Sequence, residues 1–142
     1  MSNKPLTQET FLWPVRVYWE DTDAGGIVFY ANYLKFFERS RTEWLRARGI
    51  HQHALRELTG GMFVVGQANL RYLKSARLDD ELLVTTSLLE AGRASMTILQ
   101  QALLVTPNRQ TLLCEATIRA GWVIADTLKP GRIPAQILHA LT

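Results

Sequence analysis

The chain has 142 residues, 47% of them hydrophobic and 20% charged, with a net charge of +3. That is one domain, residues 1–142, able to bury a core without disulfides or a structural metal. A lone cysteine, Cys114, excludes an intrachain bridge and fits a reducing compartment, and the scattered Lys and Arg residues favour a small polyanionic ligand over nucleic acid.

Residues 1–11 read as a loose polar start without a signal-like apolar run, and no stretch reaches transmembrane length, so a cytoplasmic location is expected. Val15 to Trp19 alternates and is β-rich, a strand with Pro14 at its first position. Gly25-Gly26 break that pattern. From about Val28 to Arg48 the period becomes helical: Phe29, Tyr33, Phe36, Phe37, Trp44 and Leu45 recur on one side, with Gly49 as the stop. A shorter helix follows, roughly His53 to Thr59, ending at Gly60-Gly61.

The second half reads as four strands: Met62 to Leu73, Leu82 to Leu89, Arg93 to Val105 and Thr111 to Ile124. Ala91-Gly92 and Pro107-Asn108-Arg109 make the tight turns between the last three. In the last strand Leu112, Cys114, Ala116, Ile118, Ala120, Trp122 and Ile124 share one apolar face, which makes Cys114 a buried structural thiol rather than a nucleophile. Pro134 to Leu141 closes the chain as a short helix. One long helix and about five strands with short connections predict an α+β fold in which an antiparallel sheet curls round the helix.

The chemistry concentrates in Glu20-Asp21-Thr22-Asp23-Ala24-Gly25-Gly26-Ile27-Val28-Phe29-Tyr30-Ala31-Asn32-Tyr33. An acidic cluster stands directly before the long helix. A carboxylate there can attack or deprotonate while backbone N–H groups between Gly26 and Tyr30 hold an oxyanion. Asp23 is open to two readings from spacing alone: that reactive carboxylate, or a helix cap or Asx-turn. Asp21 and Glu20 shape the pocket mouth or are solvated carboxylates. Tyr30 is either a site residue or pocket wall, and Asn32 either orients the ligand or bonds locally. Asp21 to Gly26 also has a faint likeness to a calcium loop, but Gly25 supplies no side-chain ligand and Asn32 stands where a bidentate Glu is needed, so no metal is expected. His51 and His53, two apart on a helix, share no face and have no further ligand at metal spacing. GxSxG, HExxH, GxGxxG and Walker A sequences are absent.

This order of elements, with Asp23 to Tyr33 between first strand and helix, resembles the hotdog-fold acyl-CoA thioesterases. The likeness is to the 4-hydroxybenzoyl-CoA thioesterase family, in particular its branch associated with the Tol-Pal cell-envelope system. Val15 to Gly26, Glu38-Arg39-Ser40-Arg41-Thr42-Glu43 and Ala76-Arg77-Leu78-Asp79-Asp80 carry it, over roughly Trp13 to Lys129. One position departs: Tyr30 stands where that branch usually has His, as it does in the 4-hydroxybenzoyl branch. The resemblance implies a hotdog fold, Asp23 and Tyr30 as catalytic residues, and Gly26, Val28 and Asn32 at the substrate. It also implies that Arg93 and Ser95 contact the CoA phosphates and pantetheine, with Lys74 and Arg77 as weaker candidates. No cofactor is implied. CoA is a substrate, with acyl carrier protein as the other candidate carrier, and the active form is a homodimer or homotetramer with sites between subunits. Two rivals stand beside hydrolysis: a non-catalytic acyl or acyl-carrier-protein binder near the cell envelope, and a hydroxyacyl-thioester dehydratase, which the lack of His in the site segment disfavours.

Overall fold

In the computed structural model, which describes residues 9–142, the chain runs β1 (Phe11–Arg16), α1 (Asn32–Ala47), α2 (Gln52–Thr59), β2 (Gly61–Tyr72), β3 (Glu81–Ala91), β4 (Ser95–Thr106), β5 (Arg109–Ile124) and α3 (Ala135–Leu141). The strands form one antiparallel sheet in the order β1-β3-β4-β5-β2, with β1 and β2 at its edges. Of the polar start expected over residues 1–11, residues 1–8 lie outside the described residues; the rest leads into β1.

The first strand lies earlier than its sequence pattern indicates. It pairs through Phe11↔Thr86 to Arg16↔Glu81, with Pro14 in its interior, where an edge strand tolerates a missing N–H. Tyr18 and Trp19, read as the strand's end, instead enter a short 3-10 turn, Trp19–Asp21. The long helix starts at Asn32 rather than Val28, because Val28 is taken into bridges with both neighbouring segments: the Thr22↔Val28 pair, and its N–H bonded to the Ala76 carbonyl at 2.9 Å. α1 ends as expected, with Gly49 at φ 79°.

The buried face of α1, Tyr33, Phe36, Phe37, Trp44 and Leu45, packs with Val84 and Leu88 of β3, Ile98 of β4 and Ile118 of β5. Among these apolar contacts lies a polar seam. Ser40 Oγ donates to the Val84 carbonyl at 3.0 Å and lies 2.9 Å from Thr86 Oγ1, while Gln100 Nε2 donates to the Phe37 carbonyl and to Thr86 Oγ1, both at 2.9 Å. Ser40, Thr86 and Gln100 are wholly buried, and among the described residues every buried side-chain polar atom has a partner.

The apolar face expected of β5 holds from Cys114 to Trp122 and fails at both ends. Ala102 pairs with Cys114 but Leu103 with Leu112, so Leu113 is an extra residue in β5. This bulge turns Leu113 inward, where it is 1% exposed, and leaves Leu112 only half-buried. At the other end Ile124 is exposed. Gly61 is fixed by a close approach: a Cβ there would lie 2.4 Å from the Trp122 ring. Gly61→Ala is expected to lower stability by about 1–3 kcal/mol, the usual range for overpacking, measured as a shift of the urea midpoint at unchanged m-value.

Candidate active site

Asp23 sits in a tight reversal between the 3-10 turn and α1. Its Oδ1 accepts the Gly25 N–H at 2.8 Å, its carbonyl accepts the Gly26 N–H at 3.0 Å, and its own N–H donates to the Ile27 carbonyl at 2.9 Å. The Asx-turn reading is therefore realised. It orients the carboxylate rather than removing it: Asp23 is exposed and its Oδ2 has no partner among the described residues.

The carboxylate borders a surface pocket of ≈ 240 Å³ between the start of α1 and the end of β2, walled by Tyr30, Tyr33 and Tyr72 and by the Leu73-Lys74-Ser75 segment. The aromatic wall is continuous, with Tyr30–Tyr72 and Tyr33–Tyr72 ring centroids 6.0 and 5.8 Å apart. Tyr33 is buried and its hydroxyl accepts the Ala76 N–H at 3.1 Å, which ties the helix start to the β2–β3 connection. Burial, offset in part by that bond, pushes the Tyr33 phenol up from its ordinary value.

The turn narrows the set of backbone N–H groups, expected from Gly26 to Tyr30, that remain open to an acceptor. The Gly26 and Val28 N–H groups are engaged by Asp23 and Ala76, and the Phe29 N–H by the Asp21 carbonyl. Tyr30 and Ala31, just before the helix, keep N–H groups without an acceptor among the described residues. Of these, Tyr30 lines the Asp23 pocket, as does Ile27, whose N–H also has no acceptor among the described residues; the Tyr30 N–H is the one at the helix start. Two further residues have local roles. Asn32 Nδ2 donates to the Asp21 carbonyl at 2.9 Å, and Asp21, 8% exposed, accepts the Tyr18 N–H on Oδ2 at 2.8 Å. Asp21 therefore fixes the 3-10 turn and does not line the Asp23 pocket, whereas Glu20 is exposed.

Arg93 and Ser95 do not meet Asp23 within one chain. Ser95 pairs with Gly121, which pairs with Val64, whereas the Asp23 pocket reaches Tyr72 at the other end of β2. Eight residues of strand separate the two ends, about 26 Å. Around Arg93 the structure adds two cations that sequence spacing hides: Arg119 Nη2 lies 3.5 Å from Ser95 Oγ, and Arg132 adjoins Arg93 because the Ile133 N–H donates to the Arg93 carbonyl at 2.7 Å. All three arginines are exposed, and none has a described carboxylate within 4.0 Å. Only strand register, which the sequence does not display, brings them together. Lys74 lines the Asp23 pocket, while the Arg77 N–H is held by Asp80 Oδ2 at 2.8 Å. His53 lies on α2, 3.4 Å from Glu57, and no helix among the described residues is long and apolar enough to cross a membrane.

A five-stranded antiparallel sheet against one long helix, with an acidic turn at that helix's start, defines a hotdog-type domain. Residues 17–141 match the model of the thioesterase-like superfamily. The chain is 42% identical to the acyl-CoA thioesterase YbgC of Haemophilus influenzae over 92% of its own length and 93% of that protein's. It is 40% identical to the acyl-CoA thioester hydrolase YbgC of Escherichia coli over 90% and 92%. Its fold matches that of the 4-hydroxybenzoyl-CoA thioesterase from Pseudomonas sp. strain CBS-3, with a TM-score of 0.86 at 20% identity, covering 92% of this chain and 98% of that one. The chain belongs to the thioesterase-like superfamily.

Burial, with Glu115 adding to it, pushes the Cys114 thiol up to about 12 from an ordinary 9.0. The folded state then holds this proton more tightly than the unfolded state. The stabilisation is fully present below pH 9.0 and is lost as pH rises toward about 12. Over that window the stability of the wild type is expected to fall more steeply than that of Cys114→Ala, read from urea midpoints at successive pH values.

Proposed function

We propose that this chain, an acyl-CoA thioesterase of the hotdog family, cleaves its thioester through the Asp23 carboxylate, with the carbonyl oxygen held by the Tyr30 N–H. The observation that carries this is their position on one pocket: Asp23 Oδ2 and the Tyr30 N–H both lack partners among the described residues. As nucleophile, Asp23 adds to the carbonyl carbon, the tetrahedral oxyanion collapses with loss of the CoA thiolate, and water hydrolyses the mixed anhydride to the free acid. As general base, it takes the proton of a water that adds at the same carbon. Both routes place the developing negative charge on the same oxygen, where a preorganised N–H counts most. The Tyr30 ring contributes a wall of the pocket in this reading.

The active form is a homodimer built on β2, or a homotetramer of two such dimers. β2 is a long edge strand with unpaired backbone groups, and the Asp23 end carries an exposed apolar patch in which Tyr30 is 63%, Tyr72 46% and Leu73 48% exposed. Antiparallel pairing of two β2 edges about a two-fold axis sets the Val64 end of one strand beside the Tyr72 end of the other. Arg93, Ser95, Arg119 and Arg132 then lie on the strand end that meets the partner's Asp23, where guanidinium forks suit CoA phosphates. Gly26, Val28 and Asn32 act through the shape of the turn rather than by direct donation. The carrier in this reading is CoA; acyl carrier protein is the second candidate, tested by the same assay. A cytoplasmic location follows from a CoA substrate, and the Tol-Pal association rests on the motifs from Val15 to Gly26, Glu38 to Glu43 and Ala76 to Asp80.

Thiol release across short, long and aromatic acyl-CoAs is expected for the wild type and is expected to fall by about 10²–10⁴-fold in Asp23→Asn, the range for removal of an acid–base group. Unchanged release from folded Asp23→Asn would remove Asp23 from the chemistry. No release by folded wild type from any CoA ester would leave carrier-protein substrates or the non-catalytic binder. The shared site has its own test. Asp23→Asn and the double variant Arg93→Ala/Arg119→Ala are each expected to be impaired. Refolded together, they are expected to recover about a quarter of wild-type activity, since half the pairs are mixed and each holds one intact site. Recovery absent from verified mixed dimers would place Asp23 and Arg93 in different functional units.

A further inference from the structure

Among the described residues the sheet ends in two edge strands, and their sequences differ in kind. β2, Gly61–Tyr72, has 12 residues with no proline and a single charged side chain, Arg71. A bulge at Gly66 bends it but removes no N–H. β1, Phe11–Arg16, has 6 residues with Pro14 among them.

Register fixes which way Pro14 points. β1 pairs with β3 without a shift from Phe11↔Thr86 to Arg16↔Glu81. Just beyond, the Val17 N–H donates to the Asp80 carbonyl at 2.9 Å and the Val17 carbonyl accepts the Asp79 N–H at 3.0 Å, so Val17 turns both backbone groups toward that side. Backbone direction alternates along an antiparallel strand. Val15, Trp13 and Phe11 therefore face β3 as Val17 does, and Leu12, Pro14 and Arg16 face away. The N–H that Pro14 lacks is thus no loss to the ladder with β3; it is the middle donor of the outer edge. Charge stands at the end of the same strand: Arg16 Nη1 donates to the Asp79 carbonyl at 2.8 Å, and Arg16 pairs with the Glu81 carboxylate. Phe11, Leu12, Trp13 and Val15 are apolar, so the side chains alone would invite a further strand.

We propose that Pro14 closes the β1 edge to strand addition, so that this chain pairs with a copy of itself through β2 alone. The part assigned to β2 rests on the paired form described under the proposed function; the block at β1 rests on register. In that pair a β1 strand lies at each end of the joined sheet. Two-fold contacts at both β1 and β2 would alternate from chain to chain without closing, and the sheet would grow as an open polymer. A missing donor in the middle of a short outer edge interrupts any such ladder, whatever side chains the incoming strand carries.

The test joins amide hydrogen exchange on the wild type to sedimentation of Pro14→Thr, with folding checked by circular dichroism. Thr suits a strand and restores the N–H without adding apolar surface. In the wild type the Leu12 and Arg16 amides are expected to exchange as open ones while Trp13 and Val15 are protected. Equal protection of all four overturns the proposal, and this arm needs no variant. Pro14→Thr is expected to show a weight-average mass that rises with concentration to at least about twice that of the wild type, the result of pairing one more edge. Leu12→Pro/Pro14→Thr, which returns a proline to the outer edge, is expected to restore the wild-type mass. A folded Pro14→Thr that matches the wild type at every concentration overturns the block, as does a double variant that stays large. Failure of the β2 pairing gives a different result: the wild type would sediment as a monomer with the β2 amides that face away from β5 open to exchange. Doubling of that monomer by Pro14→Thr would still support the block at β1.

Discussion

Ser40 and Gln100 fasten α1 to the sheet through Thr86. A helix held on a sheet by apolar contact alone can slide by a fraction of a turn at little cost, because dispersion and area burial have no strong directional preference. Hydrogen bonds at 2.9–3.0 Å in a water-free layer do have one. Moving α1 along its axis would leave Ser40, Thr86 and the Gln100 amide buried without partners, at a penalty of about 1–3 kcal/mol for each group. The register of α1 therefore sets where its first residues, Asn32 and Tyr33, meet the β2–β3 connection, and so where Asp23 and the Tyr30 N–H stand.

The turn before the helix depends on that seat and adds its own constraints. Val28 is anchored to Ala76 and Phe29 to Asp21, and the Tyr33 hydroxyl holds the Ala76 N–H. The first two take up N–H groups of the turn, and together the three bonds fix the loop so that the Tyr30 N–H proposed as donor is held in place. Rigid placement of a few donors does more for a transition state than a larger number of mobile ones. The Asx-turn at Asp23 belongs to the same logic. One carboxylate oxygen is tied to Gly25 so that the other has a defined direction. The Asx-turn and the proposed chemistry, alternatives when only spacing is known, fall in that proposal on different atoms of one side chain.

The parts of the fold legible in the sequence were those carried by periodicity and turn chemistry. α2, the four C-terminal strands and the Gly49 and Gly60 stops follow from patterns local to a few residues. What the sequence concealed came from long-range pairing. Val28 looks helical by apolar spacing, and only the bridges to Thr22 and Ala76 withdraw it from the helix. Leu112 and Leu113 are interchangeable in an alternating pattern until a bulge decides which one turns inward. At the site, Asp23 stood out because an acidic cluster beside two glycines is unusual. Arg41, which bonds to Gln100 beside the polar seam, did not. Its contact with Gln100 spans 59 residues of sequence, and no local pattern announces it.

The distribution of polar groups bears on why such a domain would act as a pair. Within one chain the sheet separates what a thioester of a long, phosphorylated thiol requires. The carboxylate lies at the Tyr72 end of β2, and the arginine cluster lies at the Val64 end. No rearrangement of loops bridges about 26 Å of rigid strand. An edge strand pairing with its own copy reverses direction by symmetry, so each end of β2 is set against the opposite end of the other strand. The same step covers backbone donors and acceptors that an exposed edge would otherwise offer to any extended chain. In the proposed pair, closing the edge and completing the site are one event. In that proposal the acidic turn and the cationic strand end are complementary halves of an interface site rather than separate features of a monomer.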